Sequence, residues 1–93
     1  MSKSVFNRKI TEKESNIDTV RKHLDEILDV LSPFSPEVKT KSIGPDKGNY
    51  ELIVDGIKID CSFSYGLSRT VVIYEKPSNT IDGIYDALKT FYS

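Results

Sequence analysis

The sequence contains little of what metal binding, disulfide formation and nucleophilic catalysis require. Its 93 residues include one cysteine, Cys61, one histidine, His23, and no tryptophan. A single thiol cannot close an internal disulfide, so we expect a reducing compartment and interpret the chain as cytoplasmic. One histidine and one cysteine far apart in the chain cannot form a standard zinc site. We therefore expect no metal and no cofactor.

Long apolar runs are missing as well. No segment approaches the roughly 18 apolar residues that a membrane helix needs, and the opening residues lack the apolar stretch of a secretory signal. We therefore expect no membrane contact. Hydrophobic residues make up 38% of the chain and charged residues 29%, a balance typical of a folded globular domain. The length fits one domain with a limited core.

The charge is nearly balanced overall but uneven along the chain. A net charge of -1 argues against a wholly electrostatic nucleic-acid binder. We interpret residues 1–10 as a loose basic N-terminal arm and residues 11–93 as a single α+β domain. Short basic ends are most often solvated tails, so nucleic-acid binding is the alternative hypothesis. Its candidate contacts are the basic residues near the N-terminus: Lys3, Arg8, Lys9 and Lys13.

Two segments carry apolar residues at helical spacing. The first segment ends before Pro33 and Pro36, which cannot continue a helix. Its apolar stripe comprises Ile17, Val20, Leu24, Ile27, Leu28 and Leu31. The second segment follows the candidate N-caps Ser78 and Asn79. Its apolar stripe comprises Ile81, Ile84, Tyr85, Leu88, Phe91 and Tyr92.

The start of the first helix is open to two interpretations. Candidate capping boxes are Thr11 with Glu14 and Ser15 with Asp18. A seven-residue spacing also extends the stripe backwards through Ile10, Ile17, Leu24 and Leu31, with a break at Lys13. We favour an amphipathic helix lying on a sheet. Pairing of this short heptad seam with a second copy, in a homodimer, is the alternative.

Residues 37–76 alternate in a way that predicts four strands joined by tight turns. Asp55-Gly56 is a strong hairpin signal. It pairs Val54 with Ile57, and in the same register the buried face also contains Leu52, Ile59, Tyr50 and Cys61.

Two further turns set the predicted register of the outer strands. A turn at Gly66-Leu67 would pair Phe63 with Thr70, Cys61 with Val72 and Lys58 with Glu75. The loop at residues 44–48 would place Lys41 opposite Glu51. Opposite charges across strands stabilise a sheet, so both pairs favour this arrangement.

The predicted fold is therefore an α+β two-layer sandwich of order α-β-β-β-β-α. It has an N-terminal helix, a four-stranded antiparallel meander and a C-terminal helix, with both helices on the apolar face of the sheet. The other face is expected to expose Lys39, Lys41, Ile43, Glu51, Ile53, Lys58, Asp60, Ser62, Val71, Ile73 and Glu75.

The predicted fold offers few side chains that could carry out catalysis. Cys61 points inward, where burial makes a thiol inert, and His23 is expected to be partly exposed beside the helix stripe. Glu51 and Asp60 are expected to be neighbours in a surface charge row that Lys41 neutralises. An open sheet face offers no pocket that excludes water. We therefore expect no enzyme activity.

Function must then lie in a binding surface. Tyr50, Phe63, Tyr65 and Tyr74 are all expected to point inward, which leaves no aromatic platform for nucleic-acid bases.

We expect a non-catalytic module that occupies a partner protein, such as an inhibitor, immunity protein or antitoxin of the kind that phages and mobile elements encode. The open side of the sheet is its expected interface with that partner or with a second copy. The candidate partner-binding residues are Arg69, Val71, Ile73, Glu75, Ile53 and Asp60.

Overall fold

A computed structural model describes residues 2–9 and 17–93. The elements in chain order are β1 (Ser2–Lys9), α1 (Ile17–Val30), a 3₁₀ turn (Ser32–Phe34), β2 (Glu37–Ile43), β3 (Lys47–Val54), β4 (Ile57–Ser64), β5 (Leu67–Tyr74) and α2 (Asn79–Tyr92). The described strands form one antiparallel sheet in the order β1-β5-β4-β3-β2. The α+β class is confirmed, but the sheet has five strands and not four.

The fifth strand is the N-terminal segment, and the expectation of a loose arm is wrong for residues 2–9. β1 pairs with β5 along its whole length, from Ser2 opposite Tyr74 to Lys9 opposite Leu67. Without β1, the outer backbone groups of β5 would have no partner strand. Alternate residues of β1 are half-buried from Ser4 onward, which gives the strand one face toward the helices.

α1 lies on the sheet, as expected for an amphipathic helix. Val20, Leu24, Ile27 and Leu31 are fully buried, whereas Ile17 at the start of the helix is 41% exposed. The buried part of the seven-residue seam is therefore covered by the chain's own sheet. The proposed capping residues at positions 11, 14 and 15, and the seam positions 10 and 13, lie outside the described residues.

α2 begins at the predicted N-cap. The Ser78 hydroxyl accepts a hydrogen bond of 3.3 Å from the amide of Ile81, which satisfies one of the free donors of the first turn. A Cβ at Gly83 would lie 2.9 Å from the ring of Phe34. Gly83 therefore allows α2 to approach the 3₁₀ turn closely. Neither described helix has the length and apolar character needed to cross a membrane.

The hairpin between β3 and β4 is confirmed pair by pair. Val54 lies opposite Ile57, and the register continues through Leu52–Ile59 and Tyr50–Cys61 as predicted. Asp55 and Gly56 both adopt positive φ, at 48° and 78°. Two successive positive φ angles define a type I′ turn, the geometry that matches the twist of a hairpin.

The hairpin between β4 and β5 differs from the prediction by two residues. The turn consists of Tyr65 and Gly66, both with positive φ, so Gly66 is the second central residue and not the first. Lys58 therefore lies opposite Ile73, and the predicted pair with Glu75 is wrong. A shift of two leaves every side chain on its predicted face.

This turn also corrects two expectations about individual residues. Tyr65 is 74% exposed, because it occupies the tip of the hairpin and does not point inward. Cys61 pairs with Thr70 in place of Val72, but it remains on the buried face, at 1% exposure.

The pairing of β2 with β3 is wrong by one residue over most of its length. The register shifts between Val38 and Thr40, so Lys41 lies opposite Tyr50 and not Glu51. A bulge inserts one extra residue into a strand and turns the residues beyond it to the other face. Lys41 and Ile43 therefore face the helix side, where the Lys41 ammonium lies 5.2 Å from the centre of the Tyr50 ring.

Candidate functional site

The sheet surface away from the helices is the candidate site, and we call it the open face. It comprises the odd-numbered residues of β1, β3 and β5, the even-numbered residues of β4, and Glu37, Lys39, Thr40 and Ser42 of β2. The five paired strands hold these side chains at fixed spacing, because residues directly opposite one another share a face.

Apolar side chains on the open face gather toward one edge. Val5 of β1 lies directly opposite Val71 of β5, and Lys3 lies opposite Ile73. Val5 is 43% exposed and Leu67 40% exposed. The apolar residues of this surface are Val5, Ile53, Leu67, Val71 and Ile73.

Charged side chains surround this apolar area, with basic residues in excess. Glu51 and Asp60 are directly opposite each other, as expected, and the Asn49 amide donates a hydrogen bond to Asp60. Thr40, not Lys41, continues the row beyond Glu51. Among the described residues, the open face has three acidic residues, Glu37, Glu51 and Asp60. Its six basic residues are Lys3, Lys9, Lys39, Lys47, Lys58 and Arg69.

The outer surfaces of the two helices carry the opposite excess. In the described part of the chain, their exposed charged residues comprise three basic and six acidic side chains. The basic residues are Arg21, Lys22 and Lys89, and the acidic residues are Asp18, Asp25, Glu26, Asp29, Asp82 and Asp86. Among the described residues, the open face is therefore positive and the outer surfaces of the helices are negative, while Arg8 and Lys41 add two basic residues on the helix side of the sheet.

The structure brings five of the six predicted partner-binding residues together. The open face contains Ile53, Asp60, Arg69, Val71 and Ile73. Glu75 is exposed beyond the end of β5, in a depression of about 520 Å³ between the β3–β4 turn and the segment before α2. Sequence reasoning missed Val5, which lies opposite Val71, and Leu67, which it assigned to a turn. The signal for Val5 was the alternation within residues 2–9, which we had interpreted as a loose arm.

The four basic residues of the nucleic-acid alternative are not grouped on one arm. Lys3 and Lys9 lie on the open face. Arg8 points to the helix side, where its Nη1 donates a hydrogen bond of 3.0 Å to the carbonyl of Phe91. Its guanidinium also lies 5.3 Å from the centre of the Phe91 ring. Lys13 lies outside the described residues.

The open face is concave only to a small extent. A depression of about 430 Å³ lies over β3 and β4, lined by Lys39, Glu51, Ile53, Lys58, Asp60 and Ile73. Charges of both signs line its wall, and the sheet leaves it open to solvent on one side. Such a surface suits contact with another macromolecule better than enclosure of a small ligand.

The expectation that His23 is partly exposed is wrong. His23 is 7% exposed, and its Nε2 shares a hydrogen bond of 2.5 Å with the Ser68 hydroxyl. Nucleophile and base side chains of covalent catalysts meet in the same way. Ser68, however, is completely buried and also bonds the Tyr92 hydroxyl at 2.8 Å. The pair therefore forms a buried polar contact between the sheet and the helices.

Cys61 is buried on the helix side of the sheet, as the sequence predicted. Burial raises the pKa of its thiol from 9.0 to about 12, while a hydrogen bond to Thr70 acts in the opposite direction. The thiolate, the reactive species, is therefore scarce near neutral pH. Among the described residues, no three His, Cys, Asp or Glu side chains group as ligands for a metal ion.

Thiol reactivity and alkaline stability test this account of Cys61. At about pH 8 we expect negligible labelling of the folded protein by an aromatic disulfide reagent and full labelling in urea.

The unfolded thiol ionises above its ordinary pKa, whereas the folded thiol stays protonated until about pH 12. The free energy of unfolding should therefore fall as the pH rises through this window, and less so in Cys61→Ala. Rapid labelling of the native protein would contradict this account.

Comparison of the chain with protein-family models, with curated proteins and with solved structures finds no match.

Proposed function

We propose that this protein is a non-catalytic binding module that acts by occupying a partner protein through the open face. The observation that carries the proposal is the excess of basic residues on the open face around an apolar area that includes the exposed residues Val5 and Leu67. Val71 and Ile73 supply apolar contact beside Val5 on the neighbouring strand. Arg69 and Asp60 supply polar contacts next to them.

The composition of the open face supports a non-obligate interface. Such interfaces combine an apolar centre with a charged rim and are no more apolar overall than the rest of a protein surface. Exposed β-branched residues also occur in strands for conformational reasons alone. Their concentration on one face beside the Val5–Val71 pair is what favours a binding role.

The charge distribution indicates the chemistry of the partner. A surface with twice as many basic as acidic residues attracts an acidic surface and speeds its encounter. We therefore propose a partner with an apolar centre and an acidic rim. Occupation of a partner's surface is how an inhibitor, an immunity protein or an antitoxin acts, and we propose this mode of action here.

Substitution of the apolar residues on the open face tests the proposal. We expect Val71→Thr with Ile73→Thr to abolish recovery of the natural partner by the tagged protein, because threonine keeps strand propensity and removes apolar contact. The matched control is Ile17→Thr, which changes an exposed β-branched residue on the helix layer and should leave recovery unchanged.

Thermal melting must first show that both variants are folded. If the double variant recovers the same partner in the same amount as wild type, the open face is not the interface and the proposal fails. Loss of recovery with Ile17→Thr alone would place the interface on the helix layer instead.

The second candidate function is that of a nucleic-acid-associated accessory protein, and the basic excess on the open face is the observation that favours it. The facing pair Glu51 and Asp60 in the middle of the surface disfavours a phosphate backbone. Fluorescence anisotropy with labelled single-stranded and duplex oligonucleotides separates the two candidates. Nucleic-acid binding would weaken steeply as the salt concentration rises, and we expect no binding to either probe near physiological salt.

A further inference from the structure

The two edges of the sheet differ in how they are protected against an additional strand. β2 follows Pro36, carries a bulge between Val38 and Thr40, and has an ion pair of 3.3 Å between Glu37 and Lys39. Proline and bulges of this kind hinder strand addition because they interrupt the row of backbone donors and acceptors. β1 has neither a proline nor a bulge, and its register with β5 is unbroken over eight residues. Among the described strands, β1 therefore offers the more regular edge, and its lysines repel a basic strand but can pair with acidic side chains.

Side chains on the inner side of β1 fix this edge in place. The hydroxyls of Ser4 and Tyr85 share a hydrogen bond of 2.6 Å. The Phe6 ring lies 5.7 Å from the ring of Tyr85, centre to centre, and Arg8 donates its hydrogen bond to Phe91. Because α2 holds β1 at three successive inward positions, the backbone of this edge is already ordered before a partner arrives, which lowers the entropic cost of binding.

We infer that β1 accepts an extended acidic segment of the partner protein as a sixth strand. This inference rests on the proposed function and specifies how the partner's backbone contacts the open face. Main-chain hydrogen bonds supply the affinity of such strand addition, and alternate side chains supply its specificity. The charged residues of β1 are Lys3, Arg8 and Lys9, with no acidic residue among them. Charge complementarity therefore selects an acidic segment and disfavours β1 of a second copy.

The register of β1 specifies the pattern of the added strand. Lys3, Val5, Asn7 and Lys9 point to the open face at alternate positions. Opposite-charge and apolar cross-strand pairs stabilise a sheet. The segment should thus present acidic side chains opposite the two lysines and an apolar side chain opposite Val5. The added strand would extend the open face next to the apolar area of Val71 and Ile73.

A synthetic peptide with this pattern provides the probe. The capped peptide Glu-Thr-Val-Thr-Val-Thr-Glu places two glutamates and two valines on one side, and the pattern is the same in either strand direction. Titrated into the isotope-labelled full chain, it should shift the amide NMR signals of Ser2–Lys9 more than those of β2. Reversing both charges with Lys3→Glu and Lys9→Glu should weaken binding about tenfold. The charge-matched control, Lys22→Glu with Lys89→Glu on the helices, should bind as wild type does.

Backbone methylation of the peptide distinguishes strand addition from side-chain contact. Successive amides of a strand point to opposite edges, so N-methylation of one alternate set should abolish binding and methylation of the other set should preserve it. Equal binding of both methylated peptides, or no binding at all, would overturn the inference. So would dimerisation through β1 without peptide, detected by light scattering. The proposed function would survive each of these results if partner recovery still depended on Val71 and Ile73.

Discussion

Replacing Leu24 with alanine should lower the free energy of unfolding by about 2–5 kcal/mol, the usual cost of a large-to-small change in a packed core. Leu24 is fully buried and its Cδ1 lies close to Gly48 of β3, so a smaller side chain leaves a cavity between helix and sheet. Ile59 and Leu88, buried to the same degree, should behave alike. Urea denaturation monitored by circular dichroism measures the change.

Ser62→Ala serves as the control for this series. Ser62 lies on the open face, and its hydroxyl makes only a long hydrogen bond of 3.4 Å to the carbonyl of Arg69. We expect a change within about 0.5 kcal/mol. A larger loss from Ser62→Ala than from Leu24→Ala would refute the assignment of the two sheet faces.

The second large effect is expected at Gly48 of β3. A Cβ at this position would lie 2.7 Å from Cγ1 of Val20 and 2.9 Å from both Cδ1 of Leu24 and the carbonyl oxygen of Ser42. Gly48→Ala should therefore cost about 1–3 kcal/mol by overpacking, although alanine normally suits a strand better than glycine. The same urea titration measures the cost.

A double-mutant cycle identifies the cause of that cost. In the Leu24→Ala background one of the three close contacts is removed, so Gly48→Ala should be less destabilising there than in wild type. Strict additivity of the two substitutions would mean that the contact with Leu24 does not contribute to the effect.

The predictability of each hairpin depended on its turn. Asp55-Gly56 allowed one turn type, and the register of β3 with β4 followed from it. Gly66 was ambiguous, since glycine is the first central residue of a type II′ turn and the second of a type I′ turn. The two choices differ by two residues, so the faces of Val71 and Ile73 were predicted correctly while the Lys58–Glu75 pair was not.

The bulge in β2 left no signal in the sequence. A single extra residue between Val38 and Thr40 turned Lys41 and Ile43 to the helix side, which alternation alone could not indicate. The predicted pair of Lys41 with Glu51 brought opposite charges together, but this prediction assumed that β2 is regular along its whole length. Charge pairs therefore support a register only where the strand is regular.

Long-range contacts account for what the sequence missed at the candidate site. β1 pairs with β5, from 72 positions away at Ser2–Tyr74 to 58 positions away at Lys9–Leu67, and no local pattern reports such a pairing. The buried position of His23 likewise depends on Ser68 and on the Phe91 ring, 5.8 Å from its own ring. Local periodicity identified both helices. It could not indicate that a polar residue beside the apolar stripe, such as His23, is buried.

Lysine acetylation of the protein alone and in complex with its recovered partner, quantified by mass spectrometry, tests the central claim most directly. The described lysines divide between the two sides of the molecule and are exposed on both. We predict that Lys3, Lys9 and Lys58 on the open face lose reactivity in the complex, whereas Lys22 and Lys89 on the helices do not. Protection of Lys22 and Lys89 with unchanged reactivity of the three open-face lysines would contradict the account.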